Sequence, residues 1–259
     1  MQLKFVAAVI IFLQASCTGG QSQQHEVVHM ADAPAEVLHF KDVGSIPLPA
    51  GFKRLEQPNS SFANWLRSIS LKKDKTVYLY DGRVKPNQLA QFAVLDVPVG
   101  TKDLQQCADA IMRLRAEYLF AREDFDRISF TDNEGGVYQF TAPHTREHLE
   151  KYLQQVFGMC GTASLSKQLL HANMRDMQPG DVLIKGGFPG HAVIVMDMAE
   201  NAGGEKIYLL AQSYMPAQDI HILKNERNET NLPWYELNDE ADIYTPEYHF
   251  TDQQLKTWW

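Results

Sequence analysis

The chain has 259 residues, of which 44% are hydrophobic and 22% are charged, and its formal net charge is −8. This length suffices for one large domain or two small ones, and the composition is that of an ordinary soluble protein. A nucleic-acid surface is excluded, because it would need a cluster of lysine and arginine to neutralise phosphates and the sequence has none.

The N-terminal segment predicts export. After a short basic start, the apolar run from Phe5 to Leu13 is too short to span a bilayer but suits the core of a signal peptide. Small residues then precede Cys17, which resembles the lipobox of bacterial lipoproteins, although Gln14 stands where an aliphatic residue is usual. We predict a signal peptide over residues 1–16, then a lipidated Cys17 and flexible tether over residues 17–35 that anchor the protein to a membrane of the cell envelope. Cleavage without lipidation is the alternative.

Residues 36–259 are predicted to form one globular α+β domain, an antiparallel sheet with packed helices. Helices are predicted at residues 61–69, 101–122, 146–157 and 164–170. Strands are predicted at residues 76–80, 91–97, 181–185, 191–197 and 205–212, and a hairpin within 128–140. In the longest helix, Thr101 is the expected N-cap, so Cys107 would lie in the second turn on the inward face.

The stretch from residue 179 to 212 contains the arrangement of residues best suited to catalysis. Its last two strands are joined through residues 201–204, which tolerate the positive φ angles of a tight turn. If Asp197 lies opposite Lys206, an opposite-charge pair, then His191 lies opposite Gln212. The amide could then hold the orientation and tautomer of the imidazole while its other nitrogen activates a nucleophile. A histidine that only ends a strand is the alternative.

Few cysteines remain for other roles. Once Cys17 is assigned to lipid, only Cys107 and Cys160 are left, either as one disulfide, as two buried thiols, or with one of them as a nucleophile. The nine histidines form no HExxH motif and the cysteines form no CxxC motif. No metal site and no cofactor are therefore predicted.

The chain is similar to the bacterial lipoproteins of domain-of-unknown-function family 4846. The resemblance is carried by four segments, LYDGRVKPNQLAQFAVLDV, DLQQCADAIMRLRAEYL, PGDVLIKGGFPGHAVIVMD and LLAQSYMPAQDIHIL. It covers the chain from about Gly51 to the end. The resemblance implies an exported lipoprotein, and it implies no particular activity.

A second resemblance does imply chemistry. PGDVLI, then GHAVIVMD, then a strand that ends in a polar residue is similar to the pattern of NlpC-type and CHAP-type cell-wall peptidases, which have a papain-like core. The resemblance implies His191 as the proton-transfer histidine and Gln212 as its orienting residue. It implies Cys107 as the nucleophile, because Gln106 and Cys107 resemble the Gln-Cys pair of the CHAP type. Cys160 is the rival nucleophile, and the Gln106 side chain would help to stabilise an oxyanion.

Two functions are compatible with these features. In the first, the chain is an exported lipoprotein with a papain-like thiol hydrolase site, an amidase or peptidase that acts on cell-wall peptide or a similar acyl substrate. In the second, it is a non-catalytic envelope lipoprotein that binds a glycan, a peptide or a protein partner. Fold resemblance alone does not distinguish them. A cysteine sulfur close to a ring nitrogen of His191 favours the first.

Overall fold

A computed structural model describes residues 39–228, 230, 232–238 and 240–258. The predicted signal peptide, Cys17 and the tether lie outside these residues. From His39 onward the described residues belong to one structural unit. Within that part of the chain, no helix is both long enough and apolar enough to cross a membrane.

The fold is α+β, with helices packed on a large antiparallel sheet, which confirms the predicted class. The helices are α1 (Phe62–Arg67), α2 (Cys107–Ala121), α3 (Arg146–Met159) and α4 (Thr162–Gln168). The strands before the central hairpin are β1 (Phe52–Arg54), β2 (Gln91–Val94), β3 (Ser129–Thr131), β4 (Val137–Gln139), β5 (Leu170–His171) and β6 (Val182–Lys185). The later strands are β7 (His191–Asn201), β8 (Lys206–Gln212), β9 (His221–Leu223), β10 (Tyr235–Leu237), β11 (Asp242–Tyr244), β12 (His249–Thr251) and β13 (Leu255–Thr257).

The main sheet of the described residues has 9 strands, with β7 and β8 at its centre. Its hydrogen-bonded order is β2-β9-β8-β7-β6-β13-β5, with β1 also paired to β7 and β10 also paired to β8. Both faces are covered, since alternate side chains of β6 and β7 belong to two different hydrophobic clusters. One cluster includes α2 and α3, and the other includes the C-terminal strands. Burial on both faces explains why β7 reads as an unbroken apolar run.

The predicted β7–β8 hairpin forms, but its predicted register is wrong. Asp197 lies opposite Leu209, not Lys206, and a bulge interrupts β7 just before Asp197. The carboxylate of Asp197 is fully buried and instead accepts hydrogen bonds from Arg54 Nε at 2.7 Å and Arg67 Nη2 at 2.6 Å. A carboxylate that satisfies two arginines from distant segments overrides the cross-strand pairing with lysine.

The long helix α2 starts later than predicted. The segment before it forms turns, because the Asp103 side chain accepts the backbone N–H of Ala217 at 2.7 Å. The backbone N–H of Gln106 donates to Asp109 Oδ2 at 3.0 Å, so Gln106 is the N-cap. Cys107 is therefore the first helical residue, and the prediction that it lies in the second turn is wrong.

Two further predictions from local sequence signals are confirmed, and one is not. Ser61 caps α1 as predicted, with its hydroxyl oxygen accepting the backbone N–H of Asn64 at 3.1 Å. The predicted hairpin within residues 128–140 forms as β3 and β4. The predicted strand at 76–80 is reduced to isolated bridges at Tyr78 and Leu79.

Candidate active site

His191 is the first residue of β7 and follows the loop of residues 186–190. Its Nε2 lies 2.8 Å from Oε1 of Gln212, the last residue of β8. In the β7–β8 pair, Ile194 lies opposite Ala211, so continuation of this register places Val193, not His191, opposite Gln212. The two side chains therefore meet diagonally across the β7–β8 pair. The structure brings together these two residues, although the register is not the one expected.

Three aromatic rings enclose the imidazole of His191. The ring centroids of Tyr214, Tyr248 and Phe250 lie 4.6, 4.8 and 5.9 Å from it. Only 2% of His191 is exposed, and this burial lowers its pKa to about 4, although the hydrogen bond with Gln212 acts in the opposite direction. The imidazole is therefore neutral at pH 7 and has one nitrogen able to accept a proton.

Cys107 lies in the same site. The backbone N–H of Ala192, the residue after His191, and N–H groups of the first turn of α2 each act to lower the pKa of its thiol. Burial raises the pKa of Cys107 to about 11, and the nearby carboxyl of Asp109 adds to the rise. Burial also raises the pKa of Tyr214, and Cys107 contributes to that rise. Since the Tyr214 ring also contacts His191, Tyr214 is a neighbour common to the thiol and the imidazole.

A hydroxyl group joins the start of α2 to the end of β8. Ser213 directly follows Gln212, and its Oγ lies 2.9 Å from the backbone carbonyl oxygens of both Gln105 and Gln218. Gln105 stands two residues before Cys107. This buried contact therefore holds the helix that carries the thiol against the strand that carries the amide, and nothing in the sequence pattern indicated it.

Cys160 occupies a different place. It is the C-cap of α3, so it does not lie in the first turn of a helix. Cys107 and Cys160 are both free thiols, and the disulfide alternative is therefore wrong. Burial raises the pKa of Cys160 to about 12, and the other groups that act on it are Asp132, Asp109 and Ser164. Neither His191 nor Gln212 is among the main groups that shift the pKa of either cysteine, and the two thiols differ in that the backbone N–H of Ala192, the residue after His191, acts on Cys107.

The side chain of Gln106 is directed elsewhere. Its Nε2 donates to Asp103 Oδ1 at 3.1 Å on the exposed side of the turn. The role expected for Gln106 in stabilising an oxyanion is therefore not supported by its side chain. Backbone N–H groups in the first turn of α2, which have no intrahelical partner, act on the Cys107 thiol.

Sequence reasoning missed the groups behind Gln212. Its Nε2 donates to Glu247 Oε2 at 2.7 Å. The carboxylate of Glu247 also accepts from Lys85 Nζ at 2.5 Å and from Asn87 Nδ2 at 2.9 Å. Lys85 and Glu247 are 162 positions apart, and each stands in a polar stretch typical of a solvated surface. No local pattern could have identified them.

Two cavities lie away from this site. One of about 760 Å³ is lined mainly by residues 171–176 and by polar residues of the C-terminal region. Another of about 480 Å³ has the aromatic residues Phe52, Trp234 and Tyr244 in its wall. Neither lining includes Cys107 or His191. Among the described residues, no group of three or more His, Cys, Asp or Glu side chains could hold a metal ion.

Comparison with known proteins identifies one family. The model of a family described as Domain of unknown function (4846) matches residues 44–144 and 132–257. Together these segments contain the thiol, the imidazole and the amide of the candidate site. No curated protein and no solved structure matches the chain.

Proposed function

This chain belongs to the family described as Domain of unknown function (4846), and we propose that it is an exported lipoprotein with a papain-like cysteine hydrolase site. The substrate would be an amide bond in cell-wall peptide or a similar acyl compound. The observation that carries the proposal is the position of Cys107 at the N-terminus of α2, where the backbone N–H of Ala192, the residue after His191, acts on its thiol. Gln212 holds the imidazole.

In the proposed reaction, His191 Nδ1 takes the thiol proton while the sulfur of Cys107 attacks the carbonyl carbon. The C–S bond forms, the tetrahedral intermediate collapses with cleavage of the C–N bond, and the imidazolium gives its proton to the leaving amine. Water then enters, His191 removes its proton, and hydrolysis of the thioester releases a carboxylic acid and the free thiol. The net reaction consumes one amide and one water.

The charge that develops on the carbonyl oxygen needs donors at the start of α2. Backbone N–H groups of the first turn have no intrahelical partner, and the helix dipole adds to their effect. Because the Gln106 amide donates to Asp103, we assign the oxyanion to these backbone groups.

The resting protonation states decide the order of events. With the pKa of Cys107 at about 11 and that of His191 at about 4, the thiol and the imidazole are both neutral at pH 7. In the proposal, proton transfer accompanies the attack of the sulfur. Substrate that displaces the aromatic cover would also change this balance, because burial is the main cause of both shifts.

Two exposed apolar side chains flank the site and suit contact with a substrate. Phe188 is 86% exposed in the loop that leads into His191, and Met215 is 57% exposed directly after Tyr214. They come from opposite sides of the β7–β8 pair, so a peptide could lie between them. In the proposal, the predicted lipid on Cys17 keeps this surface within the cell envelope.

A second function is favoured by the cavities. If the chain is instead a non-catalytic lipoprotein that binds a glycan, a peptide or a protein partner, the cavity of about 480 Å³ is the candidate site. Its wall contains the exposed ring of Tyr244 beside the polar side chains of Asn225 and Asn228, a combination suited to stacking on a sugar or peptide.

Incubation of the chain with a panel of peptidoglycan fragments, followed by mass spectrometry, tests the proposal. We expect cleavage of an amide in at least one fragment by the wild type and by Cys160→Ala, and no cleavage by Cys107→Ala. The Cys160 variant is the matched control, since both thiols are buried. The proposal fails if no fragment is cleaved, or if the Cys107 variant forms the same product.

A further inference from the structure

The amide of Gln212 has polar partners at both its oxygen and its nitrogen. Its Oε1 lies 2.8 Å from His191 Nε2, and its Nε2 lies 2.7 Å from Glu247 Oε2 and 3.4 Å from His221 Nε2. The residue is only 1% exposed. A primary amide has two N–H donors and one carbonyl acceptor, so each of these three contacts demands a particular end of the side chain.

Glu247 is an acceptor in this network. Two donors, Lys85 Nζ and Asn87 Nδ2, occupy its carboxylate along with Gln212. Burial raises the pKa of Glu247, but the hydrogen bond and charge of Lys85 outweigh it, and the net pKa lies below the usual value. An ionised carboxylate has no proton to donate, so the group of Gln212 that faces it must be the NH₂.

His221 is also an acceptor. Its Nδ1 lies 2.9 Å from the backbone carbonyl oxygen of Asp219, a contact that only a protonated Nδ1 can make. Burial lowers the pKa of His221 to about 4, so the ring is neutral and its Nε2 carries a lone pair. That lone pair faces the second N–H of Gln212.

Glu247 and His221 together leave Gln212 one orientation, with its carbonyl oxygen towards His191. A carbonyl oxygen can only accept, so His191 must carry its proton on Nε2 and keep a lone pair on Nδ1. We propose that Glu247, anchored by Lys85, and His221 are positioning residues that hold His191 in the Nε2–H tautomer through Gln212. The consequence for catalysis rests on the proposed hydrolase function, in which Nδ1 takes the thiol proton.

Lys85 belongs to this network because it keeps the carboxylate of Glu247 ionised. Only 5% of Lys85 is exposed, and burial lowers its pKa while Glu247 opposes that change. Loss of Glu247 alone would leave a buried ammonium group without its carboxylate, which is strongly destabilising. A clean test must therefore replace both members of the pair.

The test is an NMR measurement of the His191 tautomer in the full chain labelled with ¹⁵N histidine. Long-range ¹H–¹⁵N correlations distinguish an Nε2–H from an Nδ1–H imidazole, and a His191→Asn variant assigns the signal. In the wild type we expect Nε2–H at His191 and Nδ1–H at His221. In the double variant Lys85→Met/Glu247→Leu, we expect a second population at His191 with Nδ1–H, because Gln212 is free to turn.

The matched control carries the same substitutions at an exposed pair, Lys151→Met/Glu147→Leu, whose members are 69% and 79% exposed. We expect its His191 signal to equal that of the wild type. Should the buried double variant not fold, His221→Asn removes the second acceptor and is expected to give a smaller Nδ1–H population. An Nδ1–H form in the wild type, or an unchanged signal in a folded variant, overturns the proposal.

Hydrolysis of the peptidoglycan fragment gives an independent measurement. We expect kcat of the buried double variant to fall roughly ten- to hundredfold, as for other partners that orient a working side chain, with KM little changed. If the double variant shows the tautomer change but the wild type hydrolyses no fragment, the hydrolase function is refuted and the positioning role stands. Hydrolysis with an unchanged tautomer would refute only the positioning role.

Discussion

The imidazole Nε2 of His191 lies 2.8 Å from Oε1 of Gln212. In the Nε2–H tautomer that we propose, this contact leaves Nδ1 as the proton acceptor of the site. The backbone N–H of the next residue, Ala192, acts to lower the pKa of the Cys107 thiol. The predictions below test what these contacts imply.

The first prediction concerns the acid limb of activity. Burial lowers the pKa of His191 to about 4, and the ring must be neutral to accept the thiol proton. We expect kcat/KM to be retained as the pH falls through 6.5 and to decline only near pH 4. A decline centred near 6.5, the ordinary histidine value, would mean that the working imidazole is exposed in the free protein.

The second prediction concerns stability in acid. The pKa values of His191 and His221 are both about 4 in the folded chain, whereas an exposed histidine has a value of 6.5. Between these values the unfolded chain binds more protons than the folded chain. The contribution of the two neutral histidines to the free energy of unfolding is therefore complete above pH 6.5 and is lost as the pH falls towards 4. Each histidine contributes at most about 3 kcal/mol to the fall.

Urea unfolding at a series of pH values measures this dependence. The variant His221→Asn, whose amide can still donate to the Asp219 carbonyl, should show a shallower fall between pH 6.5 and 4 than the wild type. Equal slopes for the two proteins would show that His221 is not neutral and buried in solution.

The third prediction concerns the buried ion pairs of β7. Asp197 is fully buried between Arg54 and Arg67, so Asp197→Ala leaves two partly buried arginines without their acceptor. We expect a loss of about 3–5 kcal/mol in the free energy of unfolding. The control Glu147→Ala breaks an exposed pair with Lys151 and should cost less than about 1 kcal/mol. Similar losses for both variants would contradict the structural role of Asp197.

The fourth prediction concerns the membrane anchor. If Cys17 carries lipid, Cys17→Ala should move the protein from the membrane fraction to the soluble fraction of cells. Cys160→Ala, which leaves the N-terminal segment intact, should remain in the membrane fraction. Membrane association that survives the Cys17 substitution would refute the lipoprotein assignment.

Much of the fold could be predicted because its signals are local. The cap at Ser61, the apolar strand β6 and the glycine-containing turn between β7 and β8 depend on neighbouring residues. The register of β7 could not be predicted, because it depends on two arginines that are 130 and 143 positions from Asp197. The start of α2 depends in the same way on a contact between Asp103 and Ala217.

The candidate site was predictable only in part. His191 and Gln212 stand at the ends of two recognisable strands, and the thiol was one of two choices. The groups that orient Gln212 were not predictable, because Glu247 and Lys85 come from polar segments at opposite ends of the domain. Only the folded chain brings these two residues together as an ion pair.

The central claim is that Cys107 and His191 work as a pair. The most direct measurement is the rate of alkylation of each cysteine by iodoacetamide at pH 7, read by peptide mass spectrometry in the wild type and in His191→Ala. Both thiols are buried, and burial raises both pKa values, so the His191→Ala variant isolates the effect of the base on the rate at Cys107. We predict that Cys107 reacts faster than Cys160 and that His191→Ala abolishes the difference in a protein that remains folded. Equal rates in the wild type, or a fast reaction at Cys107 that survives the loss of His191, would contradict the account.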